Sequence, residues 1–185
     1  MSKVLTAFAV TVWMLCPAYG QEKKDEFKHK FVGVGNCKLC HSDPETGDQF
    51  AQWKKSPHAE AFKTLQGPKA KEIGAKLGID DPSKSEKCVK CHVTGFGAPA
   101  AVRPANKVKD SDGVGCETCH GAGGDYAKED VFKKGKEAAI ALGLVVPDEK
   151  LCVKCHNKES PSYKEFKFEE AAKKIAHPNP KKPKK

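Results

Sequence analysis

Methionine is almost absent from this chain of 185 residues: both copies, Met1 and Met14, fall within the first 20. Residues 21–185 therefore offer no thioether to a metal. Histidine is scarce too, with seven in all. Past the apolar run Val4 to Leu15, no stretch is long and apolar enough to cross a bilayer, which excludes a transmembrane anchor. Cysteine occurs only at Cys16 and at eight positions grouped in pairs, leaving none over for a disulfide framework. Apolar residues make up 38% and aromatics 8%, and the mean hydropathy is −0.60. The length suits one domain, but this inventory is too thin for an ordinary side-chain core.

What the chain does have is one short pattern four times over. Cys37-Lys38-Leu39-Cys40-His41, Cys88-Val89-Lys90-Cys91-His92, Cys116-Glu117-Thr118-Cys119-His120 and Cys152-Val153-Lys154-Cys155-His156 each set two cysteines three apart, followed at once by histidine. The two thiols of such a motif add to the vinyl groups of a porphyrin and the adjacent imidazole ligates its iron, so this is the attachment signature of a c-type haem. Paired cysteines can also build zinc sites, but zinc does not require histidine directly after every second cysteine. Four covalent haems are expected, with His41, His92, His120 and His156 as their proximal ligands. About 165 residues remain for them once a leader is removed, roughly 41 per haem, far below the length of an ordinary domain. The macrocycles should supply most of the buried apolar surface, and folding should depend on them as small metal domains depend on metal.

The formal charge of +9 would ordinarily suggest an anionic partner. Haem propionates change that balance: with four haems the mature protein should be roughly +4 oxidised and roughly 0 reduced. The basic excess is read as compensation for those carboxylates rather than as a nucleic-acid footprint.

In chain order, residues 1–20 have the layout of a secretory signal: Lys3, the apolar run, then Ala18-Tyr19-Gly20, with cleavage expected before Gln21. This implies export to the periplasm, where haem attachment takes place. A single domain then covers 21–185, with 178–185 as a basic, solvated tail. Helices are expected over 48–55, over 57–65 behind a Ser56 cap and Pro57, over 69–77, over 129–142 and over 163–176. The last is amphipathic through Phe166, Phe168, Ala172 and Ile175. The fold class is mainly α with much irregular structure and little or no sheet, a compact multihaem cytochrome c fold organised around four covalently bound haems.

Each haem iron has a second axial position, and after the motif histidines only His29, His58 and His177 remain. Three imidazoles cannot cap four irons, so at least one iron lacks a histidine sixth ligand. His58, between Pro57 and two alanines, and His177, at the end of an apolar helix, are candidate distal ligands. His29, in a polar lysine-rich approach, is a weaker one. Trp53, Phe62 and Phe96 are read as packing against haem.

Several of these stretches, Cys88–Gly97, Gly113–Gly121, Phe166–Glu170 before His177, and the first motif followed by Trp53, His58 and Ala59, resemble the tetrahaem cytochrome c-554 family over about residues 36–177. The resemblance implies a mostly helical periplasmic electron carrier of the nitrogen cycle with haems in close stacked pairs. Its donor would be a hydroxylamine oxidoreductase, its acceptor the quinone pool or a small cytochrome, with peripheral association with a membrane quinone reductase in view. It also implies an open axial site on the haem of His92, His58 capping the third haem and His177 the fourth. One departure stands out. The family's distal ligand for the first haem lies shortly after the third motif, yet residues 121–140 here hold no histidine, and Asp130 stands near the expected place. His29 substituting from the other side, or a second open haem, are the alternatives. The chain is also shorter around its fourth motif, implying a changed partner surface. Two rival functions follow from the same features: reduction of a small molecule such as nitric oxide at an open haem, for which no added acid–base pair is evident, and a structural role in a haem filament or redox complex.

Overall fold

Helices start where the chain supplies a cap or a proline. Asp48 accepts from Ala51 N–H ahead of Gln49–Lys54, Asp148 accepts from Leu151 N–H ahead of Glu149–Cys152, and Pro68 opens Pro68–Lys76. Such caps satisfy backbone donors that a helix start leaves unpaired. The computed structural model describes residues 27–181. The expected leader (1–20) and the tail residues 182–185 lie outside them.

The described residues form α1 (Val34–His41), α2 (Gln49–Lys54), α3 (Ala61–Thr64), α4 (Pro68–Lys76), α5 (Glu86–His92), α6 (Cys116–His120), α7 (Glu129–Lys134), α8 (Lys136–Ala141), α9 (Glu149–Cys152) and α10 (Phe168–Ile175). The longest has nine residues, and no strand occurs among the described residues. The chain is mainly helical, with long irregular connections and no sheet there.

Three expected helices differ in extent. Residues 56–60 turn through successive i to i+3 bonds, Ala59 N–H to Ser56 O, Glu60 N–H to Pro57 O and Ala61 N–H to His58 O, so the α-helix behind Pro57 shrinks to α3. The expected 129–142 helix breaks at Gly135, whose φ of 95° belongs to glycine rather than to a helix. The last helix starts only at Phe168, because Phe166 is drawn away to stack on His156 with centroids 4.8 Å apart. Within the expected tail, Pro178 and Pro180 are exposed yet touch Gly47, and Lys181 pairs with Glu45 at 2.5 Å.

The side-chain core is small. Phe31, Ala59, Leu65, Val93, Val108, Val114 and Val131 are its buried apolar members, while Leu39 and Phe132 stand 79% and 77% exposed. Buried polar links do much of the joining. Glu117, inside the third motif and only 4% exposed, accepts from the backbone N–H of Val32 at 2.9 Å, Gly33 at 2.8 Å and Gly123 at 2.7 Å. It thereby ties the approach to α1 onto α6. Thr94, just past the second motif, donates to Gly113 O and accepts from Gly115 N–H. Trp53 Nε1–H donates to Val114 O at 2.9 Å, fastening α2 to the same place.

Glu117→Ala would leave three buried N–H groups without an acceptor. At about 1–3 kcal/mol for each orphaned group, the loss should reach about 3 kcal/mol or more. Guanidinium unfolding of the holoprotein, followed by far-ultraviolet circular dichroism, should show a clearly lowered midpoint. A midpoint matching the wild type would contradict this role.

Candidate haem-attachment sites

A helix brings residues i, i+3 and i+4 onto one face, and these are the offsets of Cys, Cys and His in every motif. The second motif lies within α5, the third is α6 itself, and the first ends α1. The fourth begins at the last residue of α9 and continues as a turn, with His156 N–H bonded to Cys152 O at 3.0 Å. Local folding alone thus presents two thiols and an imidazole to the same side. All eight motif cysteines are free, and among the described residues no group of three or more His, Cys, Asp or Glu side chains is placed to share a metal ion.

The motif imidazoles are oriented through Nδ1. His41 Nδ1 lies 3.3 Å from Gln49 Oε1, His92 Nδ1 2.6 Å from Ala61 O, and His120 Nδ1 3.2 Å from Val145 O. His177 Nδ1 is 2.8 Å from Ile175 O. Such bonds fix the tautomer that leaves Nε2 with its lone pair, the usual arrangement behind a metal-ligating histidine. Burial lowers the proton affinity of His58, His120 and His156, in His58 with a further push from His156. Each shift favours the neutral ring, the form that ligates.

Two pairs of imidazoles lie close together with their planes crossed. His58 and His156 have centroids 6.0 Å apart with planes at 78°, and His120 and His177 have centroids 6.1 Å apart at 76°. With metal–imidazole bonds of about 2 Å, and centroids set back roughly 1.1 Å from the donor nitrogens, two imidazoles on one iron put their centroids about 6 Å apart. Both centroid separations match that spacing. The rings adjoin otherwise than the resemblance implied: His58 lies beside His156 of the fourth motif, and His177 beside His120 of the third. The chain path explains it. Beyond α10, Pro178 and Pro180 lie against Gly47, six residues past the first motif, and α1 packs on α6, so His177 is delivered to the third motif.

Contacts between thiols relate the motifs to one another. Cys37 and Cys116 share a hydrogen bond that raises the affinity of Cys37 for its proton, with burial adding to it, and lowers that of Cys116. Cys155, chiefly through burial and then through Cys91, is pushed up to about 12. Cys119 is raised by burial and then by the neighbouring Cys152. The motifs therefore adjoin in the order first, third, fourth, second. His41 is close enough to disfavour a charge on His120.

His41, His92 and His29 have no facing imidazole among the described residues. His29 bonds instead to Asp125 Oδ2 through Nδ1 at 2.7 Å, and this bond is the main reason Asp125 holds its proton less tightly than an ordinary carboxyl. Asp130, near the family's expected ligand position, pairs loosely with Lys134. Sequence reasoning missed Asp125, Glu117 and the Phe166 ring stacked on His156. Glu117 was visible inside its motif, but nothing local signals three amide partners. Of the residues read as haem packing, Trp53 is a hydrogen-bond donor to Val114 O and its ring adjoins Phe50 at 5.5 Å.

Comparison with known proteins follows the same lines. The family model described as cytochrome c554 and c-prime matches residues 36–121. Cytochrome c-554 of Nitrosomonas europaea is 32% identical over 127 residues, covering 67% of this chain and 51% of the relative, so the chain spans about half the length of that curated relative. The solved reduced state of cytochrome c554 from Nitrosomonas europaea superposes with a TM-score of 0.53 at 30% identity, over 79% of this chain and 78% of that one. In its sequence motifs and in the helical, sheet-free architecture of the described residues alike, the chain belongs to the cytochrome c-554 family, whose cofactor is covalently attached haem c.

Proposed function

We propose that the chain holds four haems c, one on each motif, and carries electrons between redox partners outside the cytoplasm, in nitrogen-cycle respiration. The donor would be of the hydroxylamine-oxidoreductase type and the acceptor the quinone pool or a small cytochrome. Export through the 1–20 signal belongs to the same reading. The observation that carries it is the pair of facing imidazoles, His58 with His156 and His120 with His177, at the spacing one iron requires. Cys37, Cys40, Cys88, Cys91, Cys116, Cys119, Cys152 and Cys155 would hold the macrocycles through thioethers, with His41, His92, His120 and His156 on the proximal side. Each bound haem supplies a one-electron ferric–ferrous couple whose potential depends on axial ligands, burial and nearby charge.

The protein's own part is positional. The Nδ1 bonds to Gln49, Ala61, Val145 and Ile175 hold rings still, so little rearrangement accompanies a change of charge. The adjoining order of the motifs supports a continuous relay rather than isolated centres. Lysines such as Lys38, Lys87 and Lys154, next to motif cysteines, suit an acidic partner and would speed encounter most at low salt.

A second reading rests on His92. Its Nδ1 is anchored to Ala61 O, yet no imidazole faces it among the described residues. An iron there would have an open position for a small ligand such as nitric oxide.

Intact mass of the exported protein should show four haem additions; three or fewer would sink the tetrahaem reading. His58→Ala and His177→Ala should each convert one low-spin ferric iron to high spin, counted by electron paramagnetic resonance, with haem content unchanged. A spin count that does not move in either variant would contradict the pairing. An all-low-spin wild type would remove the second reading, whereas a high-spin signal lost on adding nitric oxide, with turnover under a reductant, would favour it over simple carriage.

A further inference from the structure

Between the approach to α1 and the irregular stretch that follows α5 lies a cavity of about 610 Å³, lined by no residue of the four motifs. We propose that it is a docking cleft for carboxylate side chains of an acidic redox partner, held by Lys28, Lys30 and Lys107. This deepens the electron-carrier reading and rests on it.

Charge is the first observation. The three lysines line the cavity, and Asp125 is its one acidic residue. Three ammonium groups against one carboxylate leave a net charge of +2 there. Asp125 is already engaged, with Oδ2 2.7 Å from His29 Nδ1 and Oδ1 3.7 Å from Lys128 Nζ. Elsewhere lysines are balanced by an acid one turn away, as Lys76 is by Glu72 and Lys133 by Glu129, both at 2.7 Å. The cavity lysines are exposed, and among the described residues none has an ion-pair partner. Their charge is left for a group outside this chain.

The walls are preformed. Phe31, only 7% exposed, donates its N–H to Val102 O at 2.7 Å, and Gly124 N–H donates to Lys30 O at 2.7 Å. A Cβ on Gly33 would collide with Lys107 O, and one on Gly124 would fall 2.6 Å from Lys30 O. Backbones this close fix the segments around 30, 107 and 124 against one another. Only the lysine side chains need ordering when a partner arrives, which limits the entropy cost of binding.

Position selects a redox partner over a free anion. Val32 lines the cavity, and its N–H donates to Glu117 inside the third motif at 2.9 Å. The same segment continues into α1, which carries the first motif and packs on α6. Carboxylates seated among the lysines therefore bring their owner beside two motifs at once. A cluster of this kind steers encounter, and its pull fades as salt screens it.

Calorimetric titration of the ferric holoprotein with hexaglutamate at low salt reads the cleft itself. Stopped-flow reduction by the hydroquinone of an acidic flavodoxin, followed at the haem bands, reads its use. Lys28→Glu/Lys107→Glu should weaken peptide binding and slow reduction by about tenfold or more. Lys28→Ala/Lys107→Ala should give a smaller loss in the same direction. Lys69→Glu/Lys71→Glu makes the same change of net charge on α4 and should cost less than about twofold in either measurement. No peptide binding to the wild type, or equal losses in the two charge-reversed variants, would overturn the cleft. So would displacement of the peptide by an equal concentration of free glutarate, or reduction rates that ignore the lysine changes. A wild type that binds hexaglutamate yet takes no electron from the flavodoxin would instead overturn the carrier reading, and the redox role of the cleft with it.

Discussion

The structure depends on polar, directional links that hold its pieces where an ordinary domain would have a side-chain core packed to the density of organic crystals. Among the described residues seven apolar side chains are buried, and Leu39 and Phe132 face outward. Two pairs of imidazoles with centroids about 6 Å apart lie within this framework. Glu117 gathers three amides, Thr94 joins the ends of two motifs, and Trp53 fastens α2 to Val114 O. A buried polar network is costly unless it is satisfied and specifies geometry when it is, which is what a scaffold with a thin core requires.

The motifs were legible because covalent attachment demands a fixed local spacing that no tertiary context can alter. Helix starts at Asp48, Pro68 and Asp148 follow from capping, which is also local. Ring pairing was not legible. His58 and His177 could be marked as ligands from their settings and from the number of open positions, but which motif each faces depends on the path of the chain. That path turns on contacts such as Pro178 against Gly47 and Val114 N–H to His58 O at 2.9 Å. The ring arrangement that the resemblance implied differs for the same tertiary reason, which matching motifs along the chain does not capture. The helix limits failed for similar reasons: Phe166 is claimed by His156, and the bond to Val114 competes for the His58 carbonyl.

The motif thiols are not alike. The thiolate is the reactive form of cysteine, and in the folded chain Cys37, Cys119 and Cys155 all hold their protons more tightly than a free thiol. Cys116 is shifted the other way by its bond to Cys37, so the motif thiols differ in reactivity within the folded chain.

The imidazole planes in the two facing pairs are crossed, at 78° and 76°. A ring prefers to interact with one of the two iron d orbitals that lie along the porphyrin normal, and parallel rings would both raise the same one. On a shared iron, crossed rings would raise one each and leave the two nearly degenerate. The unpaired electron of a ferric centre would then keep much of its orbital angular momentum, and its magnetism would be strongly directional along the ligand axis. The side chains that set the torsions of His58 and His177 would thereby set how nearly degenerate those two orbitals are.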